Sequence, residues 1–392
     1  MHGEVTCHKA RLIMQAPGRW RSGGFVAVSQ GRIVEVGDLG KKPPCSKMVD
    51  HGSGILMPAL VNAHTHLTLS ALHERLETSK GFLAWVESLI RNSSELSPQE
   101  ALRSTREAAR TLRETGTGLV GEFGPFFPVE EHLAFMGLEG VVWQEFLGEE
   151  RDLVAPSQTF GGLVSSLAGH APHTTSPKLL KKIKTLCLKW DLPFSLHLAE
   201  SQEEVEFLQS GQGKWARFLE SRQFSFRDWD CFGLSPVKLA QRLGLLDPKT
   251  LLVHLIHVSP KEVELLAQSG VGVCVCPRSN WKLHRALPRL MEFLKAGLKP
   301  ALGTDSLASV DSLSLFEEMQ FTARNYPDLK PREILQMATA NGARALWRQD
   351  LGLLEKGRSA RMIYVELDAA DPWRAEERLV IEPPALVKPV GW

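Results

Sequence analysis

The chain has 392 residues, 43% of them hydrophobic, enough to bury a full-sized core and to hold one large α/β domain with a smaller attachment. Its 46 lysines and arginines balance 45 aspartates and glutamates for a formal net charge of +1, so bulk charge gives no reason to expect nucleic acid as a partner. No stretch approaches the roughly eighteen apolar residues of a membrane helix, and the start MHGEVTCHKARLIM lacks the apolar core of an export signal, which excludes a membrane partner from the expectation.

Six cysteines at 7, 45, 187, 231, 274 and 276 form no C-x-x-C pair and are too sparse for a disulfide framework, so a reducing, cytoplasmic setting is expected. Cys274 and Cys276, two apart on a predicted strand, share a face and read as buried core thiols.

Residues 1–56 carry short alternating runs, Phe25-Val26-Ala27-Val28 and Arg32-Ile33-Val34-Glu35-Val36, with Gly31 and Gly37 expected at turns. From residue 57 to 349 the pattern changes to short apolar runs alternating with helix signals. Ser97-Pro98-Gln99-Glu100 has the order of a capping box with Pro at the first helical position; its helix ends near Gly116, before the strand-like Gly118 to Phe123. Ser176-Pro177 opens a helix that closes before Asp191-Leu192-Pro193, and Phe194 to Leu198 follows as a strand. Ser259-Pro260-Lys261-Glu262 repeats the signal up to Gly270 and leads into Val271 to Cys276.

Strand candidates fall at 55–63, 118–123, 140–147, 162–169, 194–198, 250–255, 271–276 and 299–303. Eight such strands between helices predict a parallel sheet closed into a barrel; the open doubly wound rival lacks a G-x-G-x-x-G turn after the first strand. Residues 350–392 return to short alternation, as in Met362-Ile363-Tyr364-Val365, and are expected to pair with residues 1–56 in one small β domain; Pro372-Trp373 follows the last clear strand, and the last dozen residues of the Pro-containing tail are expected to drape over the surface.

Polar groups recur where the apolar runs end. His64 and His66 follow Ile55 to Val61 and, two apart, point to one side of a strand end, as two ligands of one metal would. His197 with Glu200, His254 with His257, and Asp305 stand in the same position after later strands, and in a barrel those ends converge. Three imidazoles and a carboxylate suit a borderline divalent cation with a position left open for water.

These segments, HTHL at 64–67, HLAES at 197–201, VHLIH at 253–257, CPRSN at 276–280 and GTDS at 303–306, resemble the deaminase-type amidohydrolase family, together with PALVNA at 58–63, HAPH at 170–173 and ATANGA at 338–343. The resemblance implies a (β/α)₈ barrel with a small β-sandwich made from both termini. It places the metal ligands on His64, His66, His197 and Asp305. Binuclear relatives bridge two metals with a carbamylated lysine after the fourth strand; here Leu167 to His173 offers no lysine, so one metal, Zn²⁺ or Fe²⁺, is expected. Glu200 falls where the family keeps its proton-transferring glutamate, Asp305 doubles as ligand and proton carrier to leaving ammonia, and His254 orients water or stabilises developing charge. Between His254 and His257 the family pattern favours the first, and His173 falls where relatives contact substrate.

The substrate is read from the loops. Arg278 is a permanent cation that would suit a ligand carboxylate, and Phe82, Trp85 and Val86 would wall a pocket for a flat base. HTHLTLS, CPRSN and GTDSLAS look most like the aminofutalosine deaminase branch, whose substrate is a modified adenine nucleoside carrying a benzoate. The expected reaction is hydrolytic removal of a 6-amino group; a chlorohydrolase, a cyclic-amide hydrolase and a metal-free barrel scaffold are the alternatives. The expected partner is a small molecule, with a homodimer as the assembly entertained. Near Arg361 the family usually has an acidic residue that Gly357 to Met362 lacks, which bears on how the small domain packs.

Overall fold

The computed structural model describes residues 4–41, 45–124, 129–156, 159–369 and 371–392. Eight strands lie in chain order in one sheet: β1 (Leu60–Thr65), β2 (Thr117–Gly124), β3 (Glu139–Phe146), β4 (Leu163–Gly169), β5 (Phe194–Leu198), β6 (Thr250–His254), β7 (Gly272–Val275) and β8 (Ala301–Leu302). Each pairs in parallel with the next. The circle closes where the Asp305 N–H donates to the His64 carbonyl at 3.0 Å and Thr65 bridges Asp305 in parallel. The chain therefore folds as a (β/α)₈ barrel, and closure at this seam sets aside the open sheet.

The Ser-Pro signals do what their chemistry dictates. Ser97 accepts the Glu100 N–H at 3.2 Å and opens the helix Pro98–Glu114, although the Glu100 carboxylate turns to Arg75 at 2.7 Å instead of back to the cap. Ser176 accepts the Leu179 N–H at 3.2 Å ahead of Pro177–Lys189, and the Glu262 carboxylate accepts the Ser259 N–H at 2.7 Å ahead of Pro260–Ser269, which ends on left-handed Gly270. Among the described residues no helix is long and apolar enough to cross a membrane.

Two further sheets come from the termini. One holds Arg32–Asp38, Gly24–Ser29, Thr6–Lys9 and Lys47–Asp50; the other holds Leu386–Val390, Met362–Glu366, Ile55–Pro58, Leu12–Ala16 and Arg19–Ser22. Together they form the small β-sandwich. Three expectations are corrected here. The apolar run 55–63 is two strands: Ile55–Pro58 pairs with Met362–Val365 in the sandwich, and only Leu60 onward enters the barrel. Hydropathy cannot mark that division, since both cores bury the run completely. Gly31 turns the hairpin with Gln30, both at positive φ, but Gly37 lies within a strand opposite Phe25, where a Cβ would come within 2.8 Å of the ring. The tail does not drape. Asp371 caps the helix Pro372–Ile381, Leu386–Val390 is an edge strand, and the indole N–H of Trp392 donates to the Met362 carbonyl at 2.9 Å.

The small domain is fastened to the barrel through Arg361. Its guanidinium pairs with Glu139 at the start of β3 at 2.6 Å and stacks on Trp392 at 5.2 Å. The acidic partner absent from residues 357–362 is thus supplied by the barrel.

The seam beside Asp305 leaves no spare volume. A Cβ on Gly303 would lie 2.8 Å from Cys274 Sγ and from His64 Cβ, and 2.9 Å from the His64 nitrogen. Gly303→Ala must spread β1 from β8, so we expect a loss of about 1–3 kcal/mol, measured by chemical denaturation. An unchanged midpoint would mean that the seam yields without cost.

Candidate metal centre and active site

The strand ends bring together what the chain scatters over 241 positions between His64 and Asp305. His64 Nε2 and His197 Nε2 face each other at 3.2 Å, and Asp305 Oδ1 lies 3.8 Å from the Nε2 atoms of both His64 and His66. All four side chains are buried. The His197 Nδ1–H donates to the His170 carbonyl at 2.9 Å, which leaves its Nε2 lone pair aimed at His64. Burial pushes His66 down to about 4 and His64 well below the usual imidazole range, so both present neutral nitrogens. Nitrogen lone pairs converging in a dry site repel unless a cation sits among them. The donor set fits one divalent ion.

Asp305 divides its two oxygens. Oδ2 accepts from Ser279 at 2.5 Å and Ser309 at 2.9 Å, while Oδ1 is left toward the histidines. Backbone strain helps to aim the groups: Ala199, His254, Leu255 and Asp305 all hold positive φ without being glycine, and all four stand at the ends of β5, β6 and β8.

Glu200 and His254 lie against this cluster. The Glu200 carboxylate receives His284 Nε2 at 3.1 Å and lies 3.6 Å from His254 Nε2. Burial alone would raise its pKa, but His254, His284 and His197 outweigh it and hold the carboxyl well below its ordinary value. Burial lowers His254 to about 4 against the pull of Glu200, so this imidazole is neutral near pH 7. The carboxamide of Asn280 meets His254 Nδ1 at 2.9 Å. The loop that carries Glu200 is held by Glu204, which accepts the N–H groups of Ala199 at 3.0 Å and Glu200 at 2.8 Å; burial pushes its own carboxyl up to about 8 against those donors.

Other sequence candidates take different places. His173 is buried at the cavity wall, edge-on to Trp215 at 4.5 Å, and neither of its ring nitrogens has a hydrogen-bond partner among the described residues. Burial lowers it to about 3. Trp85 lines the same cavity with Phe82 and Val86, its indole N–H bonded to the Ala308 carbonyl at 3.0 Å. His257 is half-buried, joins none of the metal-competent groups and does not line the cavity. Arg278 is turned away: its guanidinium meets Glu317 at 3.0 Å and the Ser312 carbonyl at 2.9 Å, and its backbone N–H goes to buried Glu318. An arginine so occupied, outside the cavity lining, is an internal ion pair.

Sequence reasoning missed Glu145, His284, Ser279 and Asn280. Glu145 ends β3 with its oxygens 3.6 Å from His66 Nδ1 and 3.4 Å from His197 Nδ1, on the far side of both rings from the cation position. Neither separation is a hydrogen bond, and the His197 Nδ1–H already goes to the His170 carbonyl, so the carboxylate acts on the site by its charge, which offsets part of the lowering that burial imposes on His66. Glu145→Gln is expected to weaken metal binding about 10- to 100-fold in a chelator competition. Wild-type affinity would remove Glu145 from the support of the site.

The cavity above these groups has a volume of about 400 Å³ and walls that are mostly apolar, among them Leu69, Phe82, Trp85, Leu89, Trp215 and Phe218. The size and lining suit a small organic ligand.

Comparison with known proteins agrees with this geometry. A 5-methylthioadenosine/S-adenosylhomocysteine deaminase of Nitratidesulfovibrio vulgaris is 30% identical over 381 residues, covering 88% of this chain and 79% of that protein. An aminodeoxyfutalosine deaminase of Deinococcus radiodurans is 28% identical over 351 residues, covering 82% of each. The crystal structure of an adenosine deaminase from Xanthomonas campestris with bound zinc superposes with a TM-score of 0.82 at 23% identity, covering 98% of this chain and 92% of that one, which speaks for the fold. The family model described as Amidohydrolase family matches residues 55–389, and with a metal-competent cluster of histidines and aspartate at the strand ends, this chain belongs to that metal-dependent family.

Proposed function

We propose that the chain is a hydrolytic deaminase that removes the 6-amino group of an adenine nucleoside derivative, as ammonia, with zinc or ferrous iron at His64, His66, His197 and Asp305. The observation that carries the reading is the placement of the Glu200 carboxylate 3.6 Å from His254, whose ring nitrogen lies within 4.8 Å of those of His64 and His197, in an otherwise mostly apolar cavity. The divalent ion, when bound, polarises water and lowers its pKa toward about 7.

The chain's own groups supply the rest. Glu200 takes a proton from that water and hands it to the ring nitrogen beside the reacting carbon, so that the carbon can accept oxygen and later release nitrogen. His254, neutral and fixed by Asn280, borders the new carbon–oxygen bond and stabilises the charge that develops there. Asp305, with one oxygen held by two serines, passes the second proton to the departing amine, which leaves as ammonia. His173, whose ring nitrogens have no hydrogen-bond partner among the described residues and whose Nδ1 lies 3.8 Å from Glu204, serves as a substrate contact, and Trp85 and Phe82 wall the base.

Both curated relatives described above are named as deaminases of adenine-type nucleosides, which supports the leaving group; the apolar cavity favours the aminofutalosine-like member of the range. The test is ammonia release by metal-loaded protein from adenosine, 5-methylthioadenosine, S-adenosylhomocysteine and the benzoate-bearing nucleoside. Release from at least one is expected. Metal-replete protein that frees no ammonia from any would overturn the reading in favour of chloride or cyclic-amide hydrolysis.

A further inference from the structure

The helix Pro277–His284 sends one side chain to each group that handles a proton or developing charge in the proposed reaction. Ser279 donates to Asp305 Oδ2 at 2.5 Å, the Asn280 carboxamide meets His254 Nδ1 at 2.9 Å, and His284 Nε2 reaches Glu200 Oε1 at 3.1 Å. Two ion pairs fasten the helix itself, Arg278 to Glu317 at 3.0 Å and Lys282 to Asp311 at 2.6 Å. His284 is its last residue. The imidazole is 4% exposed, and its ring lies 4.6 Å from that of Phe82, which stacks on Trp85 at 5.8 Å. Glu200 and Phe82 line the cavity and His284 does not, so any effect of His284 on a bound ligand passes through the two groups it touches. The oxygens of Glu200 are not equivalent. Oε1 has the His284 donor and lies 3.6 Å from His254 Nε2, whereas no hydrogen bond among the described residues reaches Oε2.

We infer that His284 is a positioning residue for Glu200: it holds Oε1 in place and so assigns to Oε2 the exchange of the proton with water and substrate. The inference rests on the deaminase reading for the reaction that is served. An ionised carboxylate only accepts, so His284 carries its proton on Nε2, and an N–H on Oε1 favours the ionised form, the one able to take a proton. A glutamate side chain turns about several bonds, and a proton carrier has to stay within hydrogen-bond reach of both donor and acceptor. Glu204 fixes the near end of this side chain by accepting the Glu200 N–H at 2.8 Å, and His284 fixes the far end. A misplacement of about 1 Å at such a group costs on the order of 100-fold in rate.

The test uses zinc-loaded, full-length protein and whichever adenine nucleoside it deaminates best. His284→Ala should lower kcat about 10- to 100-fold, with KM changed by less than about twofold and zinc content unchanged. His284→Gln, whose amide can still donate to Oε1, should recover part of the loss. In the Glu200→Gln background His284→Ala should cost less than about twofold more, because the group it positions no longer carries a proton. A further loss there as large as in the wild type overturns the inference. So does a rise in KM with kcat unchanged, which would trace the effect to Phe82 and the cavity wall. NMR of histidine-labelled protein reads the contact without any substrate. The imidazole N–H signal that is missing from His284→Gln should shift in Glu200→Gln. If it stays in place, the inference fails even where ammonia is released, and the deaminase reading stands. A signal that shifts, without ammonia from any nucleoside, supports His284 as the anchor of Glu200 and overturns deamination.

Discussion

Replacing Glu200 with Gln is expected to lower kcat by about 10³-fold while the protein keeps its metal and nearly its KM. The substitution is close to isosteric, and its amide oxygen can still accept from His284, which sits 3.1 Å from the native carboxylate. The Ala199–Glu200 backbone stays fixed by Glu204, so the loop keeps its path. What disappears is the capacity to take a proton and return it. A thousandfold corresponds to about 4 kcal/mol of barrier, within the range of one positioned acid–base group. The measurement is ammonia release at saturating substrate with metal content determined on the same sample. Near-normal turnover at full metal content would show that another group carries the proton. Loss of metal would place Glu200 among the ligands instead.

The barrel was legible because period and punctuation agree. The run Phe194–Leu198 is buried from end to end and begins after the helix whose Ser176-Pro177 start is visible in the sequence, and Thr250–His254 is buried as completely. The clustered histidines and aspartate were legible for a related reason: a polar group at the end of a barrel strand is carried to the mouth, whereas His257, three residues past the end of β6, is not among the groups that line the cavity. The misses follow from what a linear pattern cannot carry. Glu145 lies within the apolar stretch of β3, and only the meeting of β1, β3 and β5 makes it a neighbour of His66 and His197. His284 is eight residues past Cys276 and reaches Glu200 because the helix Pro277–His284 folds back over the mouth. Arg278 was conspicuous as a charge, but its partners Glu317 and Glu318 come from a helix that begins at Leu315. The edge strand Leu386–Val390 contains a lysine and a proline, residues suited to an unpaired edge and misleading to propensity.

Asp305→Ala is expected to strip the metal from near-stoichiometric to near-zero occupancy and to abolish turnover. The change removes the only carboxylate that faces both Nε2 atoms of His64 and His66 within 4 Å among the described residues. It also leaves the hydroxyls of Ser279 and Ser309 without their shared acceptor, so some stability is lost for a reason unrelated to the ion. Asp305→Asn separates the two effects. Its amide keeps an oxygen for the serines and the same volume, but it gives up the negative charge that offsets a divalent cation. Measured by metal analysis after dialysis, Asp305→Asn should fold like the wild type in the absence of metal yet bind the ion far more weakly. A second readout follows from linkage. At a free-metal concentration about 1,000 times the dissociation constant, binding adds roughly 4 kcal/mol to the folded state, so wild-type protein should show a clear rise in thermal midpoint on loading that both variants lack. Full occupancy in Asp305→Ala would remove Asp305 from the ligand set and move the fourth position to His254, whose ring already lies 5.3 Å from that of His197.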